Sequence, residues 1–505
     1  MNLNRAALVI AVLATGMVYL DQTAVNIALP AIQRGLGTDL SGIQWILSLY
    51  LLFLTAPLLL CGVLGDRFGR RRIFCLGMTL FGFSSLFSGL ADNLQQMLTT
   101  RAFQGIGAAM MISVGLPILI ANTALESRGK VIGLWTGWSA AIIAAGPSIG
   151  GLLVDLGSWR LVFFINLPLA MLAIFVAFRW LPADDRVDGK SLDFIGMVLL
   201  MVGLGCLIYS LIEATTYGIT SPRILGSLVS GCLLLGLFYW HQGRIEHPLI
   251  APQLFRYAAF RMINFVTLLL WIAVSGIFLF LPLNLQQIQN YSALEAGLSL
   301  APISLCVLII SRLSGRWADR YGAGRPLLGG LVCMLIGMLM LANLGNVENY
   351  WRDLLPLMTL YGIGLALVVS PLTMVAMTSL PDEHAGVASG VNNSASRIAA
   401  MLSIALLGSL MLAVFELDFV HGLSELQVDS ATRDYFIERT ALMSQIKIPV
   451  DLDAGLAMNI SSLIKAAYLH SFSIAMYLSS LITFICTVIV YIYFRNNPTL
   501  SSARN

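Results

Sequence analysis

Apolar residues run through this chain in long, nearly unbroken stretches separated by short polar turns. A helix needs about 20 mainly apolar residues to cross a bilayer core roughly 30 Å thick. Stretches of that kind fall at 6–29, 42–64, 73–91, 95–121, 131–154, 159–180, 193–214, 223–241, 262–285, 294–314, 326–344, 354–379, 385–415 and 468–494. Periodicity alone does not separate a buried helix from a lipid-facing one, but the length and number of these runs settle the class. The alternation of a β-barrel is absent. The first run follows a single arginine and resembles a secretory signal. It continues to Pro30, however, with thirteen more runs behind it, so it reads as a first span. The pattern predicts an all-α integral membrane protein with 14 transmembrane helices.

Composition removes the soluble alternatives. Of 505 residues, 58% are hydrophobic and 11% charged, and the mean hydropathy is +0.84. An average soluble domain is about 25% charged, and a soluble chain this apolar would lack the polar residues to cover its own surface. The net charge of +3, with 29 basic residues spread through the loops, offers no basic domain for nucleic acid. Seven cysteines lie in apolar runs without CxxC spacing, which reads as packing, not as zinc or redox chemistry. No phosphate-binding, hydrolase or metalloprotease motif occurs, and the five histidines are scattered. No catalytic residue, metal or cofactor is expected, and a membrane enzyme is the weaker alternative.

The loops orient the chain. With the N-terminus in the cytoplasm, nineteen Arg and Lys fall on that side and four in the opposite short loops, which predicts both termini cytoplasmic by the positive-inside rule. The acidic segment 416–467 then becomes an extracytoplasmic loop. Ser430 to Ile446 within it could form an amphipathic helix on the outer membrane face, as a gate or as a contact for a periplasmic partner. A passive solvated loop is the alternative. Arg101 and Arg397 are left inside spans.

The chain also repeats itself. GVLGDRFGR at 62–70 returns as GRWADRYG at 315–322, and QGIG at 104–107 returns as YGIG at 361–364. The offsets, 253 and 257 residues, suit two six-helix halves with two helices inserted between them. The division is 1–182, 183–243 and 244–505. Parallel repeats of this kind place a transport site near the midplane between the halves.

These motifs resemble the major facilitator superfamily, and within it the fourteen-span drug:proton antiporters. The loop at 62–70 is similar to the family's cytoplasmic signature, with Gly62, Asp66, Arg67, Gly69 and Arg70 in place and Gly65 where alanine is usual. LDQTAVNIALP at 20–30 resembles the first-helix motif, and RAFQGIG at 101–107 the fourth-helix motif. WRLVFFINLP at 159–168 and His247-Pro248-Leu249 also fit the subfamily. The fifth-helix motif has Gly133, Gly146, Pro147, Gly150 and Gly151, with Ile142 where a second glycine is usual. The resemblance implies a secondary active transporter in a bacterial inner membrane, for which a monomer suffices. It would exchange protons for amphipathic, often cationic, small molecules, with lipid as its only obligatory surroundings. Export of a specific metabolite, siderophore or lipid is the alternative, as is facilitation without proton coupling.

Candidate residues follow. Asp21 lies 15 residues into its span, roughly 22 Å up at 1.5 Å per residue, and an intramembrane carboxylate is functional by default. Arg101 enters from the other side to similar depth, so the two are expected to pair and to part on protonation; a static ion pair is the plainer reading. The resemblance assigns Gly62, Asp66, Arg67, Gly69 and Arg70 to a conformational latch, in which Asp66 faces a helix N-terminus of the opposite half. Asp319 and Arg320 would be its weaker counterpart, and a solvated charge run is the plain reading. Gly146, Pro147, Gly150 and Gly151 read as a flexing or sealing helix, or else as a fixed kink. Gln22, Asn26, Gln104, Glu213, Asn392, Asn393 and Arg397 are candidates for lining a substrate cavity.

Overall fold

The computed structural model describes residues 3–124, 127–182, 193–246, 248–380, 385–426, 428–449 and 452–497. Arg186, Lys190, His247, His384 and Arg504 lie outside the described residues, as does the side chain of Asp319. The described residues are helical, with no strand among them.

The first half contains α1 (Leu3–Leu36), α2 (Leu40–Thr55), α3 (Leu58–Phe68), α4 (Arg70–Gly89), α5 (Leu94–Ala121), α6 (Arg128–Asp155), α7 (Leu161–Phe164) and α8 (Asn166–Trp180). The inserted pair is α9 (Phe194–Ile212), followed by a single turn α10 (Ala214–Tyr217), and α11 (Pro222–Gln242). The second half contains α12 (Ala258–Gln287), α13 (Ala293–Ser299), α14 (Ala301–Tyr321), α15 (Gly324–Ala342), α16 (Leu355–Thr378), α17 (Ala385–Glu425), α18 (Ser430–Ile437) and α19 (Ala454–Asn496). Two six-span bundles result, because α2 with α3, α7 with α8 and α13 with α14 each cross as one broken span. Among the described residues, thirteen helices are long and apolar enough to cross a membrane, and the bent pair α2–α3 makes fourteen. Sequence alone suggests one continuous helix over 42–64. The structure bends there by 48°, where Pro57 removes a backbone donor and starts α3.

Within each half the same packing recurs. Helix α4 lies along α5, as α15 lies along α16. A Cβ on Gly77 would sit 2.9 Å from the Gly107 carbonyl, and one on Gly330 would sit 2.7 Å from the Gly364 carbonyl. Glycine is therefore what lets these helix pairs meet backbone to backbone. The inserted helices α9 and α11 pack chiefly on each other, with α9 reaching α2 and α17.

The acidic segment differs from its sequence reading as a 416–467 loop. Helix α17 spans 41 residues and α19 spans 43, roughly 60 Å or more each at 1.5 Å per residue. Both therefore run past the bilayer core and take the two ends of that segment, 416–425 and 454–467, into helix. The amphipathic helix expected from Ser430 to Ile446 is shorter too. It stops at Ile437, and a 3-10 turn follows over Thr440–Gln445, with Met443 at φ 50°. This turn folds back onto the mouth between the halves. Thr440 donates to Glu416 at 3.0 Å, Ser444 donates to Gln287, and Leu442 and Met443 meet Gln33, Leu40 and Phe280 around one pocket.

Candidate functional site

Among the described residues, helices α1 and α5 carry the most buried charges. On α1, Asp21 shares a face with Ala14, Met17, Val18, Val25 and Ala28, all buried. On α5, Arg101 and Gln104 follow Met97 and precede Ala108 and Met111 on the buried face. The 3.6-residue period points both sets at one another. Arg101 Nη1 lies 2.6 Å from Asp21 Oδ2, and both side chains are 0% exposed. Gln104 Nε2 donates to Asp21 Oδ1 at 2.9 Å while its Oε1 accepts from Arg101 Nη1 at 2.7 Å. Asn166, at the head of α8, donates to Asp21 Oδ1 at 3.3 Å and to Ser85 Oγ at 3.0 Å. The Tyr50 ring covers the guanidinium at 4.1 Å, with Phe163 at 5.8 Å.

The carboxylate thus has three donors and one counter-charge, with no water-exposed side. Such a pair survives burial only when its remaining hydrogen-bond capacity is met. Here part of that capacity is left open. Arg101 Nη2, Asn166 Oδ1 and the Tyr50 hydroxyl are all buried without a hydrogen-bond partner. Buried groups left unmet in this way are uncommon and mark the cluster as more than packing.

Around this cluster the glycine helix is wedged between α1 and the second half. Gly146 lies against Thr23 and Gly150 against Ala24, where a Cβ on Gly150 would come within 2.6 Å of the Ala24 Cα. Gly151 faces the Ala293 carbonyl across the seam, and Gly297 of α13 faces the Pro147 carbonyl. Ile142, where the family motif usually has glycine, is not a vacant departure. Its Cδ1 would lie 2.6 Å from a Cβ on Gly16, so the glycine at this α1–α6 contact is on α1.

The other candidates are placed as follows. Asp66 is bonded to Arg70 of its own half at 2.8 Å, and its side chain is 53% exposed. Its charge partner here is thus within its own half, and the latch expected of it belongs to the outward-facing state. Arg70 also donates to the Pro117 carbonyl at 3.3 Å, and Arg67 lies over Phe68. Gly69 has φ +100° and its repeat Gly322 has φ +82°, a conformation that residues with a Cβ rarely adopt. Gly65, in place of the usual alanine, sits where a Cβ would clash with Val114. Arg320 is exposed.

Gln104 belongs to the sealed cluster and is fully buried, so it lines no open cavity in this state. Asn392 is likewise bonded inside the second half, to Thr267 Oγ1 at 2.8 Å and Asn264 Oδ1 at 3.3 Å. Each finds its hydrogen-bond partners within its own bundle. Glu213 accepts from Trp45 Nε1 at 2.9 Å at the end of α9. Gln22 and Asn26 are half-buried on α1, Arg397 is half-buried on α17, and Asn393 is exposed. Sequence reasoning gave Asn166 no role beyond a motif position, and did not single out Ser85 or Tyr50. A polar Asn inside an apolar run was the available signal for the first; Ser85 and Tyr50 gave none.

The hydrogen bonds that cross between the halves, among the described residues, all lie at one end. Gln44 donates to the Ile404 carbonyl at 2.6 Å, Gln286 to the Ile27 carbonyl at 2.9 Å, and Gln287 to Gln33 at 3.0 Å. Asp155, the last residue of α6, accepts from the amides of Ala293 and Leu294 at the start of α13. This is the end opposite the N- and C-terminal turns.

The fold, the duplicated packing and the seam agree with the sequence comparison. A family model described as Major Facilitator Superfamily matches residues 11–404. The chain belongs to the Major Facilitator Superfamily. As a member of this transporter family it is a multi-pass integral membrane protein. It is 33% identical over 416 residues to the multidrug resistance protein Stp of Mycobacterium tuberculosis, covering 81% of this chain and 77% of that one. It is 36% identical over 402 residues to the tetracenomycin C resistance and export protein of Streptomyces glaucescens, covering 78% and 73%. Among solved structures it resembles a bacterial homologue of the human lysosomal transporter Spinster with a TM-score of 0.62. That match is 14% identical and covers 97% of this Major Facilitator chain and 98% of the other.

Proposed function

We propose that this transporter exports amphipathic small molecules, including antibiotics, across a bacterial inner membrane in exchange for protons. The observation that carries the reading is the sealed Asp21–Arg101–Gln104 cluster with its unmet donors and acceptors. Proton binding at Asp21 would neutralise the carboxylate and release Arg101 and Gln104 from it, and helix α1, pressed by Gly146 and Gly150, is positioned to couple that release to rocking of the halves. The names of the similar proteins, a multidrug resistance protein and a resistance and export protein, support the direction and the substrate range. With both termini in the cytoplasm, the seam closed by Gln44, Gln286, Gln287 and Asp155 is the outer one, and the conformation is inward-facing. Asp66, held by Arg70, is then disengaged and would cross to the second half in the outward-facing state. The turn over Thr440–Gln445 would add to the outer seal.

The test is transport into inverted vesicles from an efflux-deficient strain, energised by an imposed pH gradient, with tetracenomycin C, puromycin and ethidium as probes. Wild-type protein should take up at least one probe and collapse under an uncoupler. Asp21→Asn should stay folded and lose the uphill component. Uphill uptake that persists in Asp21→Asn, or survives the uncoupler, would remove proton coupling from the account.

A further inference from the structure

Two arginines of the second half face the first half without a partner of opposite charge. Arg397 lies on α17 in line with Ile404 and Gly408, seven and eleven residues on, and those two positions meet Gln44 of α2. Residues at these spacings share a helix face, so the guanidinium points across the seam, about 10 Å deeper than Ile404 by helical rise. Arg312, on α14, also reaches over the seam: a Cβ on Gly137 of α6 would lie 3.5 Å from its Nη2. Arg397 is half-buried and Arg312 exposed, and neither has a hydrogen bond or ion pair among the described residues. They are 12 and 9 residues from the ends of their helices on the side of the chain termini, hence at similar depth.

The surrounding helices do not supply the missing negative charge. Asp21 is already matched by Arg101. Helices α2 and α16 carry no charged residue, and α6 has none between Lys130 and Asp155. In α12 none follows Arg261. Glu213 is held by Trp45 beside the α9 end, where Leu211 meets Ser409, twelve residues along α17 from Arg397 and roughly 18 Å away. Asp319 is seven residues, roughly 10 Å, beyond Arg312 along α14. Among the described residues, the second half's face toward the first therefore carries two unmatched positive charges, with the paired acid contributing none.

We infer that Arg397, with Arg312 nearer the mouth, is an anion-recognising element, so that the substrate carries a carboxylate or similar acidic group on its amphipathic body and is not a cation. A guanidinium presents a planar fork that takes a carboxylate through two parallel hydrogen bonds. A cationic substrate would meet two like charges in a partly desolvated space, which costs binding energy. This deepens the export reading and rests on it for the position of the cavity.

The test uses the full-length protein in lipid nanodiscs and three probes sharing one fluorophore: dansylglycine (anionic), dansylamide (neutral) and dansylcadaverine (cationic). Binding is read from dansyl fluorescence. Wild-type protein should bind dansylglycine at least about tenfold more tightly than dansylcadaverine, as expected for a charge-assisted contact. Arg397→Gln should remove that preference with little change for dansylamide, and Arg397→Lys should keep part of it. A preference for the cation, no preference, no binding of any probe, or a preference unchanged in Arg397→Gln would each overturn the inference. Should Arg397→Gln not fold, the wild-type preference and Arg397→Lys decide. Proton-coupled uptake of ethidium without anion binding would sink this inference and leave the export reading standing. Anion preference without any proton flux would do the reverse.

Discussion

The two halves of this transporter share a skeleton and differ in chemistry. In both, a glycine-lined pair of helices meets backbone to backbone, Gly77 with Gly107 and Gly330 with Gly364. Yet the repeat offset of 257 residues that aligns Gly105 with Gly362 puts Met358 where Arg101 stands, and Tyr361 where Gln104 stands. Both replacements are fully buried. At the place matching Asp21 the second half has the apolar run around Val274 to Phe278. Its own buried polar contact, Asn264–Asn392–Thr267, is uncharged. Close approach of helices is thus what the fold requires twice, whereas the ion pair is needed once. A feature present in one repeat and absent from the other is not demanded by the shared skeleton, and whether it serves packing in its own half or transport is what the variants below separate.

The largest effect should come from splitting the pair. Arg101→Ala leaves Asp21 buried without its counter-charge and should destabilise the first half by about 3–5 kcal/mol, read as a fall in the thermal unfolding midpoint of purified protein. Giving the first half the chemistry of the second, Asp21→Asn with Arg101→Met, should recover most of that loss while leaving no proton-coupled transport. If the double variant is as unstable as Arg101→Ala alone, the pair is structural and the contrast between the halves loses its meaning.

Next in size, Gly107→Ala and Gly364→Ala should cost similar amounts, on the order of 1–3 kcal/mol each, because in both a methyl group is forced against the neighbouring backbone. A large difference between them would show that the repeated packing is not equally needed. Gly151→Val tests the seam instead of either bundle. Its side chain would clash with Ala293 and Leu294 of the opposite half. The expected result is a clear rise in labelling of Gln287→Cys by an impermeant maleimide, with a smaller change in unfolding temperature than for Gly107→Ala.

The smallest effect belongs to the inserted pair, which has no counterpart in the repeat. Asp193 accepts from Gln242 and His241 and caps α9 through the Gly196 amide. Burial opposes its charge, but these hydrogen bonds outweigh burial and hold its pKa below the ordinary 3.8. A depressed carboxylate stabilises the fold above its unfolded value, and that share is lost as pH falls through the lower folded one. Asp193→Asn should therefore cost about 1 kcal/mol at neutral pH. The gap to wild type should close in acid below the ordinary carboxylate pKa, with proton coupling unchanged throughout. A gap that widens in acid would reverse the assignment.

The sequence by itself determined the class, the number of spans, the repeat and the turn glycine Gly69. These are properties of local composition and spacing: a run of about 20 apolar residues has one stable disposition in lipid, and a turn like that at Gly69 admits few residues besides glycine. It also marked Asp21, Arg101 and Arg397 as costly, because charge inside a span is rare. Only the tertiary structure decided which of these charges are satisfied. Asn166 joins Asp21 across 145 residues of chain, while Arg397 is left open. Gln104 and Asn392 look alike in sequence to cavity residues but find partners inside their bundles. The bend at Pro57, the reach of α17 and α19 beyond the membrane and the fold-back of the turn near Met443 were also beyond local reading. Each is set by what packs against it from distant parts of the chain, and hydrophobic pattern records burial without recording the partner.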